Sequence, residues 1–182
     1  MAELELGELS MLSKLPAGKY AVEDRMMLDV TVRRDGKVIY SDIALTDAAL
    51  TKGAGARLVD LAVLGDKTTI TRMSADGVVI STPTGSTAYS MSAGGPIVEP
   101  TAENIIVTPI CPHALSARSF VLGHERTVSI KLGRMARKTA FLSVDGGKAF
   151  KLNGGDVVET KMSKSKTRLV RVTGRTFYEI LN

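Results

Sequence analysis

Alternating apolar and polar residues, interrupted at short intervals by glycine-bearing turns, restrict this chain more than any other feature. Leu28, Val30 and Val32 alternate with Asp29, Thr31 and Arg33, the pattern of a strand with one face in a core. Asp35-Gly36 follows and leads into Val38-Ile39-Tyr40. This reads as a hairpin, because glycine accepts the positive φ of a tight turn without steric cost. A second unit runs from Phe141 to Val144, through Asp145-Gly146-Gly147, to Phe150 and Leu152. Gly65-Asp66 and Asn153-Gly154-Gly155-Asp156 mark further turns. Strand signals recur without βαβ alternation, so the pattern predicts a mainly β fold. The expected form is an antiparallel β-sandwich with one or two short helices, not a doubly wound sheet.

Two segments depart from that rhythm. Leu6, Leu9, Leu12 and Leu15 recur every third residue before Pro16 and Gly18, which predicts a short opening helix. A second helix is expected from about Thr87 to Ala93, stopped by Gly94-Gly95-Pro96. There is no internal repeat, low-complexity segment or linker, so residues 1–182 are expected to form one domain. A chain of that length buries roughly 70% of its unfolded surface and needs no staple.

Charge and cysteine usage narrow the class. No apolar run approaches the ~20 residues of a membrane span, and the acidic opening Met1-Ala2-Glu3-Leu4-Glu5 is not a signal peptide. Cys111 is the single cysteine and has no internal disulfide partner, which fits a reducing compartment and a cytoplasmic location. The net charge of +5 gathers late, in Lys161, Lys164, Lys166, Arg168, Arg171 and Arg175. These residues alternate with apolar ones and have almost no aromatic residues among them for stacking bases. They read as the solvated face of an edge strand, with neither nucleic acid nor membrane as partner. Cys111 and His113 flank Pro112, and the chain has only two histidines. A packed thiol and a hydrogen-bonded imidazole at a strand end are expected there, not a triad or metal site. His124 reads as part of a solvated turn.

The chemistry concentrates between Asp76 and Pro96. Val78-Val79-Ile80 suits a strand buried on both faces. A polar turn with Pro83 and Gly85 follows, then a helix start capped near Ser86 or Thr87. Seven of the twelve residues from Ser81 to Ser92 are Ser or Thr, whereas a cap needs two or three. The surplus has two readings. One is a well-capped helix after a turn. The other is a polar-lined pocket at the helix start, where hydroxyls and free N–H groups meet ribose, amide or phosphate oxygens. In the pocket reading Tyr89 offers a ring face to a base, and Asp76 an acceptor to an amino or amide N–H.

Neither a P-loop nor a G-x-G-x-x-G turn occurs. However, Asp76-Gly77, Ser81-Thr82-Pro83-Thr84-Gly85-Ser86-Thr87-Ala88-Tyr89 and Ser92-Ala93-Gly94-Gly95-Pro96 resemble the signature of ATP-dependent NAD kinases. Gly18-Lys19-Tyr20 with Glu23-Asp24-Arg25 matches upstream. Downstream matches are Pro109-Ile110-Cys111-Pro112-His113 with Leu115 and Ser116, Val144-Asp145-Gly146, and Asn153-Gly154-Gly155-Asp156. The resemblance covers nearly the whole chain. It implies the C-terminal β-sandwich half of a two-domain transferase, which moves the γ-phosphoryl group of ATP, or polyphosphate, to the adenosine ribose 2′-hydroxyl of NAD. The product is NADP. It also implies a divalent metal such as Mg in the whole enzyme, and a homodimer or homotetramer. Carried over, Thr84, Thr87, Ala88, Tyr89 and Ser92 line the NAD pocket, and Asp76 reaches it from a neighbouring subunit.

Where the family carries Asn followed by an acid, this chain has Thr46-Asp47. Asp47 keeps the acceptor for ribose hydroxyls, while Thr46 replaces the amide with a single hydroxyl. Arg118-Ser119 stands where many members have Arg-Pro, a structural change. The family's Gly-Gly-Asp-Gly motif, with its activating Asp and phosphate-cradling glycines, occurs nowhere. The resemblance therefore assigns no catalytic residue to this chain and no metal ligand, and the 182 residues alone are expected to be inactive. Two other readings compete. A diacylglycerol-type lipid kinase would show an apolar substrate channel and lacks the Thr-Gly-Ser-Thr-Ala-Tyr match. The other is a non-catalytic nucleotide-binding or oligomerisation domain; no dinucleotide binding at millimolar ligand favours an assembly-only module.

Overall fold

The computed structural model describes residues 3–54, 58–114, 117–133 and 139–181. Twelve strands form two six-stranded sheets whose pairings are all antiparallel. The strands are β1 (Ala21–Arg34), β2 (Lys37–Ala44), β3 (Asp47–Lys52), β4 (Val59–Gly65), β5 (Thr68–Ala75) and β6 (Gly77–Ser81), then β7 (Asn104–Ile110), β8 (Phe120–Gly123), β9 (Val128–Leu132), β10 (Ala140–Val144), β11 (Phe150–Leu152) and β12 (Val157–Arg171). The first sheet runs β2-β1-β12-β9-β4-β5 and the second β11-β10-β3-β6-β7-β8. Their facing sides meet in one core. Leu28, Val30, Val32, Leu61 and Ile130 come from the first sheet, and Leu50, Val78, Ile80, Ile105 and Leu142 from the second. The mainly β sandwich expected from alternation is the observed architecture.

The turns follow their residues. Asp35 and Gly36 both have positive φ, at 51° and 78°, as do Asp145 and Gly146, at 47° and 69°. At Asp35-Gly36, flanked by the Arg34–Lys37 pair, that is the twist a two-residue hairpin needs, while Asp145-Gly146 opens a longer connection to β11. The turn expected at Gly65-Asp66 is carried by Asp66 and Lys67, at 48° and 74°.

Two local expectations are corrected and one is refined. The short opening helix is a 3₁₀ helix, Leu6–Lys14, with Leu15 as its C-cap and no buried residue. A spacing of three is the period of that tighter helix, so the four side chains line up on one exposed face. The helix expected over 87–93 is two shorter pieces, a 3₁₀ turn Thr84–Thr87 and α1 (Tyr89–Ser92), broken where Ala88 adopts φ −100° and ψ −127°. The basic strand β12 is not simply an edge. Val157–Thr160 pair with β9 as well as β1, and the remaining length pairs with β1 alone. On that one-sided part Lys166 pairs with Glu103, Arg168 with Asp24, and Arg171 with Glu3 and Glu23. A last helix, α2 (Phe177–Leu181), follows.

Among the described residues no helix is long and apolar enough to cross a membrane. Cys111 is exposed, with φ 43°, immediately after β7, and His113 is exposed too. The packed thiol is therefore corrected to a solvent-facing one. His113 is held by its backbone N–H, which donates to the Ser74 carbonyl at 2.8 Å. Leu115 and Ser116, named in the resemblance, lie outside the described residues.

Candidate functional site

The Ser81–Ser92 segment lies over the outward faces of β6 and β7. Val78, Val79 and Ile80 are all fully buried. Val78 and Ile80 point into the core, so alternation turns Val79 outward, where α1 packs on β6.

Buried hydroxyls fasten this segment. Thr82 Oγ1 donates to the Leu45 carbonyl at 2.6 Å and accepts the Gly85 N–H at 3.1 Å. Ser86 Oγ both donates to the Val98 carbonyl and accepts the Val98 N–H. Ser90 and Thr108 share a hydroxyl–hydroxyl bond of 2.9 Å. Gly85 sits where a Cβ would fall 2.0 Å from the Thr46 carbonyl oxygen, so only glycine lets the turn come this close to the loop before β3.

The surplus of Ser and Thr thus divides into two sets. Ser81, Thr82, Ser86 and Ser90 are buried, whereas Thr84, Thr87 and Ser92 reach the surface together with Ala88 and Tyr89. The cap is Thr82, not Ser86 or Thr87. The first-turn amides are already engaged, Gly85 by Thr82, Ser86 by Pro83 and Ala88 by Gly85. Those three N–H groups are thus occupied, and the exposed side-chain hydroxyls are the groups left facing outward.

Two cavities flank this segment. One, of about 390 Å³, is lined by Asp47, Ala49, Thr51, Ala88, Tyr89, Ser143 and Gly146. Its floor is the outward face of β3, where side chains at 47, 49 and 51 share one side. The other, of about 450 Å³, takes in Thr84 and Thr87 with Arg25, Arg171, Phe177 and Tyr178. Asp47, Ala88 and Tyr89 thus share one cavity, and Thr84 and Thr87 the other. Ser92 is exposed and lines neither. A larger cavity of about 570 Å³, on the outer face of the first sheet beside Asp60, Arg72, His113 and Lys131, holds none of the expected residues.

Electrostatics separate the two carboxylates near β3. Asp145 accepts from the Leu45, Thr46 and Asp47 N–H groups at 2.7, 2.8 and 3.0 Å and from the Thr46 hydroxyl at 2.7 Å. Burial acts to raise its pKa, but these donors outweigh it and hold the carboxyl below its ordinary value. Asp47, only 7% exposed, is pushed up, first by burial and then by the Asp145 charge, with the Thr46 hydroxyl acting in the opposite direction. Asp47 is an acceptor facing the cavity at electrostatic cost, the condition of a group kept for a ligand. Thr46 is not available in the same way, since its hydroxyl donates to Asp145. Asp145-Gly146-Gly147 is expected from its residues to be a hairpin turn. It is one, and it also clamps the loop that presents Asp47.

Asp76 lies apart. It precedes β6, while Asp47 faces Ser81 at that strand's far end, roughly 17 Å away at 3.3–3.4 Å per residue. Its carboxylate pairs with Lys52 at 2.8 Å. Among the described residues no group of three His, Cys, Asp or Glu is placed to hold a metal ion. Asp145 has both oxygens engaged by donors. The cavity residues that carry no signal in the sequence are Ser143, Phe177 and Tyr178, and Arg25 belongs to the Glu23-Asp24-Arg25 match, which assigns it no role.

A double antiparallel sheet carries a hydroxyl-rich turn between two cavities, and this architecture defines a β-sandwich domain. The sequence profile of the ATP-NAD kinase C-terminal domain matches residues 45–172, and the chain belongs to that family. It is 46% identical to an NAD kinase of Symbiobacterium thermophilum, with all of this chain aligned to 64% of that protein. It is 42% identical to an NAD kinase of Acetivibrio thermocellus, over 93% of this chain and 59% of that one. The chain thus spans about three-fifths of the relatives it matches. Among solved structures, yeast NADH kinase complexed with NADH superposes with a TM-score of 0.82 at 34% identity, over 90% of this chain and 48% of that one. An Archaeoglobus fulgidus NAD kinase in complex with ATP gives 0.70 at 25% identity, over 89% and 59%.

Proposed function

We propose that residues 1–182 form one folding unit that binds the dinucleotide of an NAD kinase. In the whole protein this unit would present the adenosine ribose 2′-hydroxyl of NAD to a phosphoryl donor, ATP or polyphosphate, to give NADP. The observation that carries the reading is the division of hydroxyls. Those that hold the turn are buried, while Thr84, Thr87, Ala88 and Tyr89 face the two cavities. A dinucleotide has two nucleosides joined by a pyrophosphate. In this reading it straddles the segment, with one nucleoside against Tyr89 and Asp47 and the other beside Thr84 and Thr87. Asp47 accepts from ribose hydroxyls, and Tyr89, 40% exposed, stacks on a ring.

The relatives' names support this reading, since each protein named above is an NAD or NADH kinase. So does the ATP held by the archaeal structure, as a donor of that class. Asp76 sits too far along β6 to touch a ligand at Tyr89 without spanning the length of β3. A second copy that brings its own Asp76 to the site, in a dimer or tetramer, is the arrangement we favour.

Phosphoryl transfer relies on positioning and charge stabilisation. This chain supplies the acceptor's cradle without the Gly-Gly-Asp-Gly base and phosphate loop, so it binds without turning over. Calorimetric titration with NAD and NADP tests the reading. Micromolar binding to the wild type, lost about tenfold in Tyr89→Ala at unchanged thermal stability, is expected. No binding at millimolar dinucleotide leaves an assembly module instead, and normal turnover by this chain in a coupled assay refutes the inactivity.

A further inference from the structure

We infer that Arg25 is a positioning residue that turns the Thr84 hydroxyl into a dedicated donor for a phosphate oxygen in the second cavity. Arg25 lies on β1 and is 7% exposed. Its Nη1 donates to Thr84 Oγ1 at 3.3 Å, its Nη2 pairs with Glu23, and its Nε is buried without a hydrogen-bond partner among the described residues. A buried guanidinium with an unmet N–H is costly, and such groups call for an explanation. Leaving Arg25 there for packing alone offers none.

The direction of the Arg25–Thr84 bond carries the argument. A guanidinium has five N–H groups and no acceptor, so Thr84 Oγ1 can only accept from it. The hydroxyl has a single hydrogen, which is thereby left to donate elsewhere, and Thr84 lines the cavity. The ligand atom that takes this hydrogen is an acceptor. A positive charge behind the hydroxyl favours an acceptor that carries negative charge, as a phosphate oxygen does, over a ribose hydroxyl or an amide N–H. Glu23 meets the guanidinium at Nη2 and is shared with Arg171, which also pairs with Glu3, whereas Nη1 is the nitrogen turned to Thr84. The phosphate can come from the dinucleotide's pyrophosphate or from the donor's chain. The chemistry is the same for both.

This rests on the dinucleotide reading for Thr84's place in a site, but its test is separate. Inorganic tripolyphosphate and NAD are each titrated into the 182-residue chain and into Thr84→Val, Thr84→Ser, Arg25→Gln and the Arg25→Gln/Thr84→Val pair. Tripolyphosphate binding that falls about tenfold in Thr84→Val and survives in Thr84→Ser is expected. Arg25→Gln should fall about tenfold alone and add less than twofold in the Thr84→Val background, because the two act as a unit. A purely structural Arg25 would lower affinity equally with or without the Thr84 hydroxyl, and that additivity overturns the inference. If Arg25→Gln does not fold, the Arg25 side-chain ¹⁵N resonances decide. They should shift with tripolyphosphate in the wild type and stay fixed in Thr84→Val; movement in both overturns the inference. Loss of NAD binding with the tripolyphosphate pattern intact refutes the dinucleotide reading only. NAD binding with no tripolyphosphate response to these substitutions refutes the Arg25 inference only.

Discussion

Replacing Gly85 with alanine tests whether the turn's close approach to the loop before β3 holds the site together. The added Cβ would lie 2.0, 2.5 and 2.8 Å from the carbonyl oxygen, carbonyl carbon and Cα of Thr46. All three are backbone atoms, so no side chain can rotate aside. Relief needs a shift of roughly 1 Å, and overpacking of that kind costs about 1–3 kcal/mol. Thr46 cannot retreat freely, because Asp145 grips the 45–47 amides. The turn must move instead, which breaks the Thr82 bonds to the Leu45 and Thr46 carbonyls and to the Gly85 N–H. Three hydrogen bonds at about 1 kcal/mol each place the loss near 3 kcal/mol, or about 6–12 °C in Tm for a domain of this size. Urea unfolding reads it as a lower midpoint at unchanged slope. Gly174→Ala, where no atom lies within 4 Å of the new Cβ, should stay within about 0.5 kcal/mol. Gly85→Ala within 1 kcal/mol of wild type, with NAD binding intact, would show that the approach is not a constraint.

Two further outcomes follow from the same geometry. Asp145→Ala removes the acceptor of four donors and should destabilise by about 3 kcal/mol at pH 7. The folded Asp145 pKa is depressed, so its contribution is complete above the ordinary value of 3.8 and fades as pH falls through the folded one; acid titrations of the two proteins should converge there. Lys67→Gly, at φ 74° in the β4–β5 turn, should raise stability by about 0.5–1 kcal/mol by removing the left-handed penalty; a fall in Tm would contradict that account.

The sheets were legible in the sequence because alternation and positive-φ turns are local signals. Leu28, Val30 and Val32 announce their face, and Asp35-Gly36 its turn. The strand order was not legible, because β1 meets β12 and β3 meets β10 through pairings far apart in sequence. The helix over 87–93 was misread because hydroxyl content suggests a cap but does not reveal the break at Ala88. Composition marked the segment between Ser81 and Ser92 as unusual. Only burial could separate the hydroxyls that fasten it from those that face a cavity. Arg25 gave no signal as a ligand-side residue, since Glu23 and Arg25 on a strand look like any ion pair until the unmet Nε is seen.

The first sheet joins β1 and β2 to β9, β4 and β5 only through β12, the last strand of the chain. During synthesis the β1–β2 hairpin has no further strand partner in its own sheet until β12 has emerged, and that sheet stays in two pieces until then. Contacts of such long range fold slowly and leave apolar edges open in the meantime. A nascent chain stalled before Val157 should therefore be the form that most needs a chaperone.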